Sequence, residues 1–107
     1  MKNIALEYFQ AFSQKNLIAL RGMFAPSVVL TDWEINTSGI DGVLETNAAI
    51  FSAVNSITAV PLKVYVDGNT VIAELEITIN GTERIKVVDI LEFTEAGKIS
   101  AIRAYKG

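Results

Sequence analysis

The chain has 107 residues, half of them apolar, which suits one hydrophobic core but not two, so we predict a single domain spanning residues 1–107. Its lack of cysteine and histidine excludes a thiolate nucleophile, a His-based catalytic triad and the usual zinc or copper sites, so we predict no metal and no cofactor. A net charge of −3 disfavours nucleic-acid binding, so no nucleic-acid partner is expected. No apolar run approaches the roughly 18 residues of a membrane span, so we expect a cytoplasmic protein that does not associate with a membrane.

Two amphipathic helices are predicted at the start of the chain. From Ile4 to about Gln14, apolar residues recur at three- and four-residue steps, which is the spacing of one helix face. Asn16 can cap a shorter second helix, whose apolar stripe includes Phe24 and which cannot continue past Pro26.

A strand, a turn and a third helix are predicted next. The strand spans Ser27 to Ile35, and Asn36–Gly39 has the composition of a turn. Asp41 then caps a helix, because apolar residues recur after it at helical spacing. These residues are Leu44, Ala48, Phe51 and Val54.

After the third helix the apolar period changes to two, which predicts strands. Hairpin signals at Asp67–Asn69, Asn80–Gly81 and Glu95–Gly97 predict a four-stranded antiparallel meander, whose second strand has one apolar face and one polar face. Helices combined with one antiparallel sheet form an α+β layout, in which the helices cover the apolar sheet face. A strongly bent sheet of this kind encloses a pocket.

Asp89 interrupts the apolar pattern of the third meander strand. The period of two places its carboxyl on the face that carries Ile85, Val87, Leu91 and Phe93. An ionised carboxylate there is costly, so Asp89 should find a strong partner or hold its proton above the usual pKa of about 3.9. A bulge that turns Asp89 to solvent, or backbone amides that satisfy it, would explain the same pattern. A functional and a structural role are both open.

Two other polar groups can share the space with Asp89. Tyr8 lies in the apolar stripe of the first helix, so its hydroxyl needs a partner or a cavity, although most such tyrosines are plain core residues. Asp32 shares a strand face with Val28 and Leu30 near the strand end, where a carboxylate can reach a pocket mouth or cap a turn.

The segments that carry these three residues resemble one family. The stretch from Tyr8 to Asp32 resembles, without a gap, the first two helices and first strand of the ketosteroid isomerases, in the nuclear-transport-factor-2-like superfamily. Val88–Phe93, Ala96–Ile99 and Ile102–Ala104 resemble the closing hairpin shared by SnoaL-like proteins. The segment 34–44 is several residues longer than in the isomerases.

The resemblance implies a cystatin-like cone, in which N-terminal helices pack on a strongly curved antiparallel sheet around an apolar pocket. It implies proton transfer next to a carbonyl, with Asp32 as the base and Tyr8 and Asp89 as donors to the oxyanion. The ligand would be a small apolar carbonyl-containing or phenol-like molecule. The pocket lining expected with it is Phe12, Phe24, Leu30, Trp33, Phe51, Val54, Val87 and Leu91.

Two other classes of function fit the same residues, so whether the protein is an enzyme is open. A non-catalytic ligand-binding or dimerisation module would carry the three residues by coincidence. A SnoaL-like cyclase or hydrolase would use a pocket aspartate to activate water or a substrate proton. Arg103 would then be an electrophilic helper, although it also suits a plain salt bridge at a sheet edge.

A homodimer is expected through the outer face of the sheet. Ile72 is an apolar residue on the otherwise polar face of its strand, and Ile102 and Ala104 are expected to join it there. Relatives with the fold that the resemblance implies usually pair through this face.

Overall fold

The computed structural model describes residues 1–107 as three helices and six strands. The helices are α1 Lys2–Ser13, α2 Leu17–Met23 and α3 Ile40–Ala53. The strands are β1 Phe24–Thr31, β2 Asn36–Ser38, β3 Ile57–Asp67, β4 Thr70–Ile79, β5 Glu83–Phe93 and β6 Ile99–Lys106. No helix combines the length and the apolar character needed to cross a bilayer, and the longest, α3, has 14 residues.

Helices α1 and α2 form where apolar residues recur at helical spacing. The Oδ1 atom of Asn16 accepts a hydrogen bond from the backbone N–H of Ala19 at 3.1 Å, which confirms the predicted cap of α2. The helix ends earlier than predicted, because Phe24 already belongs to β1 and pairs with Ile99 of β6. Pro26 favours this early end, since it disfavours helical backbone at the residue before it.

The connection between β1 and α3 differs from the prediction. Residues 36–38, expected as a turn, form β2, which pairs antiparallel with β1 at the edge of the sheet. The turn lies at residues 32–35 instead. Asp32 closes it, because its Oδ1 atom accepts hydrogen bonds from the backbone N–H groups of Glu34 and Ile35, both at 2.7 Å.

Helix α3 begins and ends slightly away from the predicted residues. Gly39 is its N-cap, with a φ of +82° that favours glycine. Asp41, predicted as the cap, lies in the first turn, where its carboxylate pairs with Arg21 at 3.0 Å. Val54, predicted on the apolar stripe, follows the last helical turn with an extended backbone.

Lys15 fastens the end of α1 to the end of α3. Its Nζ atom donates hydrogen bonds to the carbonyl oxygens of Phe51, Val54 and Asn55 at 2.9, 2.8 and 3.1 Å. Carbonyls at the end of a helix lack helical partners, and a cation is favourable there. These bonds hold together two of the helices that cover the sheet.

The six strands form one curved sheet in the order β2-β1-β6-β5-β4-β3. The three predicted hairpins are confirmed, and β3 to β6 form the predicted antiparallel meander. The sheet is mixed instead of purely antiparallel, since β1 runs parallel to β6. The connection through α3 explains this, because it carries the chain from one edge of the sheet to the other before the meander begins. The predicted α+β cone is confirmed, with a sheet that does not close into a barrel.

Cross-strand pairing decides which side chains face the helices. The predicted apolar face of β4 is the buried face. The prediction is wrong for Ile102 and Ala104 of β6, which lie on the inner face and not on the outer one. Their partners on β5 are Leu91 and Asp89, and directly paired residues share a face of the sheet.

Candidate functional site

A cavity of about 320 Å³ lies between the helices and the inner face of the sheet. Sixteen of its twenty lining residues are hydrophobic, and the other four are Asp32, Glu34, Asn47 and Asp89. Neither lysine nor arginine is among them. Small-molecule pockets usually measure roughly 300 to 1,000 Å³, so this cavity suits a small and mostly apolar ligand.

Asp89 occupies the middle of the cavity's sheet wall. On β5 it pairs with Ala73 of β4 and Ala104 of β6, and these two small neighbours leave space around its carboxyl. The strand has no bulge at this position, and only 8% of the residue is exposed. Its carboxyl takes part in no hydrogen bond or salt bridge within the protein. Neither structural alternative therefore applies, because Asp89 is neither turned to solvent nor satisfied by backbone amides.

Tyr8 approaches the cavity from α1. Its ring is buried and packs edge-on against Phe9, with the ring centroids 5.5 Å apart. Its hydroxyl also has no hydrogen-bond partner in the protein, and it is not fully enclosed, since the side-chain amide nitrogen of Asn47 is the only fully enclosed side-chain polar atom without a partner. Tyr8 and Asp89 therefore both line the cavity, and both carry polar side-chain atoms without a partner in the protein.

Burial changes the acidity of both groups. Burial first, and then the charge of Asp32, raise the pKa of the Asp89 carboxyl from 3.8 to about 7. Burial, followed by the charge of Asp89, raises the pKa of the Tyr8 hydroxyl well above its usual value. Asp89 is therefore within electrostatic reach of both Asp32 and Tyr8. Below neutral pH, Tyr8 and Asp89 are both neutral hydrogen-bond donors.

Asp32 has a structural task as well as a place in the lining. The two backbone hydrogen bonds that close the 32–35 turn both end on its Oδ1 atom, so the carboxylate is held in one orientation. Its Oδ2 atom has no hydrogen-bond partner in the protein. The sequence allowed Asp32 either to cap a turn or to reach a pocket mouth. In the structure Asp32 caps the turn, and the same side chain lines the cavity.

The expected pocket lining divides into two groups. The residues that line the cavity are Phe12, Leu30, Trp33 and Val87. The residues that do not, and instead pack within or against the closed core, are Phe24, Phe51, Val54 and Leu91. Periodicity predicts which face of a strand or helix is buried. It does not predict whether a residue on that face lies at the cavity or in the closed part of the core. On β5, for example, Ile85, Val87 and Asp89 line the cavity, whereas Leu91 and Phe93 at the far end of the same face pack against other core residues.

Asn47 is a site residue that the sequence analysis missed. It lies on α3, it is 2% exposed, and it lines the cavity. The signal was present in the sequence, because Asn47 is three residues after Leu44 and four before Phe51, on the apolar stripe of the predicted helix. It is the same kind of signal that identified Asp89.

Arg103 does not reach the cavity. Its partner across the strand pair is Ile90, on the outer face of the sheet, and its guanidinium forms a salt bridge with Glu92. The structure therefore bears out the salt bridge at this position. Arg103 and Asp32 do line a separate depression beside the main cavity, so Arg103 lies near a cavity aspartate without lining the cavity itself.

A curved sheet backed by helices around an apolar cavity places the protein in the nuclear-transport-factor-2-like class of folds. The family model of the SnoaL-like domain matches residues 5–102. The chain therefore belongs to the SnoaL-like family, and the family-level resemblance is confirmed. No curated protein sequence matches the chain.

Solved structures of proteins assigned to different enzyme classes share the fold. A proposed polyketide cyclase from Sinorhizobium meliloti has a TM-score of 0.87 at 23% identity, over 97% of this chain and 94% of that one. A proposed ketosteroid isomerase from Kribbella flavida has a TM-score of 0.83 at 18% identity, over 98% and 76%. The epoxide hydrolase/cyclase-like enzyme SalBIII, from pyran ring formation in the polyether salinomycin, has a TM-score of 0.86 at 23% identity, over 99% and 89%. At these identities the comparisons establish the fold alone.

Proposed function

We propose that this protein binds a small apolar carbonyl compound in the cavity and transfers a proton next to the carbonyl. One observation carries the proposal. The unpaired Tyr8 hydroxyl, the unpaired Asp89 carboxyl and the Asp32 carboxylate line the same apolar cavity. Two neutral donors and one carboxylate are what a carbonyl needs to lose an adjacent proton and become an enolate.

The proposed roles follow from the surroundings of each group. Tyr8 and protonated Asp89 donate hydrogen bonds to the carbonyl oxygen, and these bonds strengthen as negative charge develops on it. The Oδ2 atom of Asp32 takes the proton from the neighbouring carbon, because Oδ1 is held by the turn. In an allylic isomerisation, Asp32 returns the same proton to the γ-carbon, the double bond moves into conjugation, and no other reactant is needed.

The cavity also limits the ligand. Its volume is at the low end of the range for small-molecule pockets, which favours one or two rings over a four-ring steroid. The absence of a cationic side chain from the lining favours a ligand that enters neutral and develops charge only during the reaction.

Phenols should bind this cavity as mimics of the enolate. We expect phenol to bind at millimolar concentration or below, and Tyr8→Phe to weaken it by roughly tenfold, because one hydrogen bond to a charge-bearing oxygen is lost. Isothermal titration calorimetry at about pH 6, where Asp89 keeps its proton, measures both. Tyr105→Phe is the matched control, since Tyr105 is exposed and does not line the cavity.

No phenol binding at millimolar concentration, or equal binding to the wild type and Tyr8→Phe, would contradict the proposal.

The second candidate is a non-catalytic ligand-binding module with the same fold. The turn formed by Asp32 favours it, because this gives the proposed base a structural reason to be present. The module would bind phenol without accelerating any proton transfer, so binding and turnover together separate the two functions.

A homodimer through the outer sheet face is part of the proposal. The exposed apolar residues Val29, Tyr65 and Tyr105 lie on that face, and Ile72 lies between Tyr65 and Ile90 in the strand pairing. Exposed apolar surface of this kind favours pairing, and a twofold axis would place the same face on both subunits.

We expect sedimentation velocity at micromolar concentration to show a dimer, and Ile72→Lys to convert it to a monomer, because a buried unpaired charge is costly. Ile18→Lys is the control, since Ile18 is an exposed residue of α2 away from the sheet. A monomeric wild type, or a dimer that survives Ile72→Lys, would contradict this assembly.

A further inference from the structure

The proposed reaction leaves two polar residues of the cavity unused, Glu34, which is exposed, and Asn47, which is the buried one. It lies on α3, almost fully buried, and makes no hydrogen bond within the protein. Its Nδ2 atom is fully enclosed and unpaired, and no other side-chain nitrogen or oxygen in the chain is in that state. Its Oδ1 atom also has no partner but is not fully enclosed, and a half-turn of the amide exchanges the two atoms. Native proteins usually avoid such groups, so a partner from outside the chain is the expected explanation.

Asn47 reaches the cavity from a different side than the proposed oxyanion donors. Helix α3 packs against β1 and β2, whereas α1, which carries Tyr8, packs against β3. Asp89 belongs to the central strand β5. One ligand oxygen held by Tyr8 and Asp89 therefore leaves the Asn47 amide free for a second group on the same ligand.

We infer that Asn47 is a specificity-determining residue that holds a second oxygen of the ligand, apart from the oxygen held by Tyr8 and Asp89. This inference rests on the proposed function and narrows its substrate class to small apolar carbonyl compounds with a second carbonyl or hydroxyl group. A side-chain amide both donates and accepts hydrogen bonds, so either group can pair with it. The apolar lining would accept a simple ketone, but that ligand would leave the amide unpaired.

A set of matched phenols tests the inference. Calorimetry compares phenol, 3- and 4-hydroxyacetophenone, and 4-isopropylphenol, which matches the acetyl group in size but has no second oxygen. For each ligand, the dissociation constant of Asn47→Leu is divided by that of the wild type. We expect a ratio of between roughly three and ten for at least one hydroxyacetophenone, and within about twofold of one for phenol and 4-isopropylphenol. Asn47→Ala, which adds no atoms, repeats the comparison.

The unfolding free energy without ligand is the second readout. Asn47→Leu should be no less stable than the wild type, because it removes an unpaired polar group and no protein hydrogen bond. Ratios near one for all four ligands would overturn the inference. Failure of both Asn47 variants to fold would also overturn it, because the amide would then have a structural partner within the protein. If phenol itself fails to bind, or binds Tyr8→Phe equally well, the proposed function fails and this inference fails with it.

Discussion

Asp89→Asn is expected to stabilise the protein at about pH 8 and to leave its stability at about pH 3.5 nearly unchanged. The folded-state pKa of Asp89 is raised from 3.8 to about 7, so the native protein keeps a proton that the unfolded chain releases. The contribution of Asp89 to the free energy of unfolding is fully present below pH 3.8 and is lost as the pH rises through about 7. The full difference corresponds to roughly 4 kcal/mol, and asparagine removes it because it does not ionise.

Urea unfolding of the wild type and Asp89→Asn between these pH values measures the effect. The difference between their free energies of unfolding should widen as the pH rises. Asp67→Asn is the matched control, since it makes the same substitution at an exposed residue of the β3–β4 hairpin that does not line the cavity. A carboxyl-carbon NMR titration of Asp89 gives the pKa directly. A midpoint near 4, or equal stability of Asp89→Asn and the wild type at both pH values, would contradict a buried neutral carboxyl.

Asp32→Asn is expected to lower the rate of proton transfer by between roughly a hundredfold and ten-thousandfold, which is the usual contribution of a general base. Asparagine has an Oδ1 atom that accepts the same two turn hydrogen bonds, so the turn should be retained. Cyclohex-3-enone is a suitable probe because it fits a small cavity, and its isomerisation to the conjugated cyclohex-2-enone is followed by ultraviolet absorbance. Phenol affinity should change little in this variant, because both proposed donors remain.

The pH dependence of the rate and a control variant test the same roles. The wild-type rate should decline as the pH rises through about 7, because Asp89 loses the proton that it donates. The Asp67→Asn variant should keep the wild-type rate, since Asp67 does not line the cavity. A wild-type rate no faster than buffer would favour the non-catalytic module, and full activity in Asp32→Asn would assign the base to another group.

Much of the candidate site could be predicted from local patterns, because a polar residue on an apolar stripe is visible without knowledge of the fold. The period of two on β5 was sufficient to place Asp89 on the buried face, and the same reasoning on α3 identifies Asn47. The lining was only partly predictable. Leu91 and Val87 share a face of β5, but only Val87 lines the cavity, because packing elsewhere in the cone decides where the interior stays open.

Local sequence determined the hairpins, the Asn16 cap, the burial of the meander's inner face and the presence of a carboxyl on it, since each depends on residues that are near one another in the chain. Contacts between distant segments decided the rest. The parallel pairing of β1 with β6 joined the first strand to the meander, and the packing of α1 and α3 on the sheet brought Tyr8 and Asn47 to the cavity that Asp89 lines. These outcomes depend on which surfaces meet across the core, and no single segment carries that information.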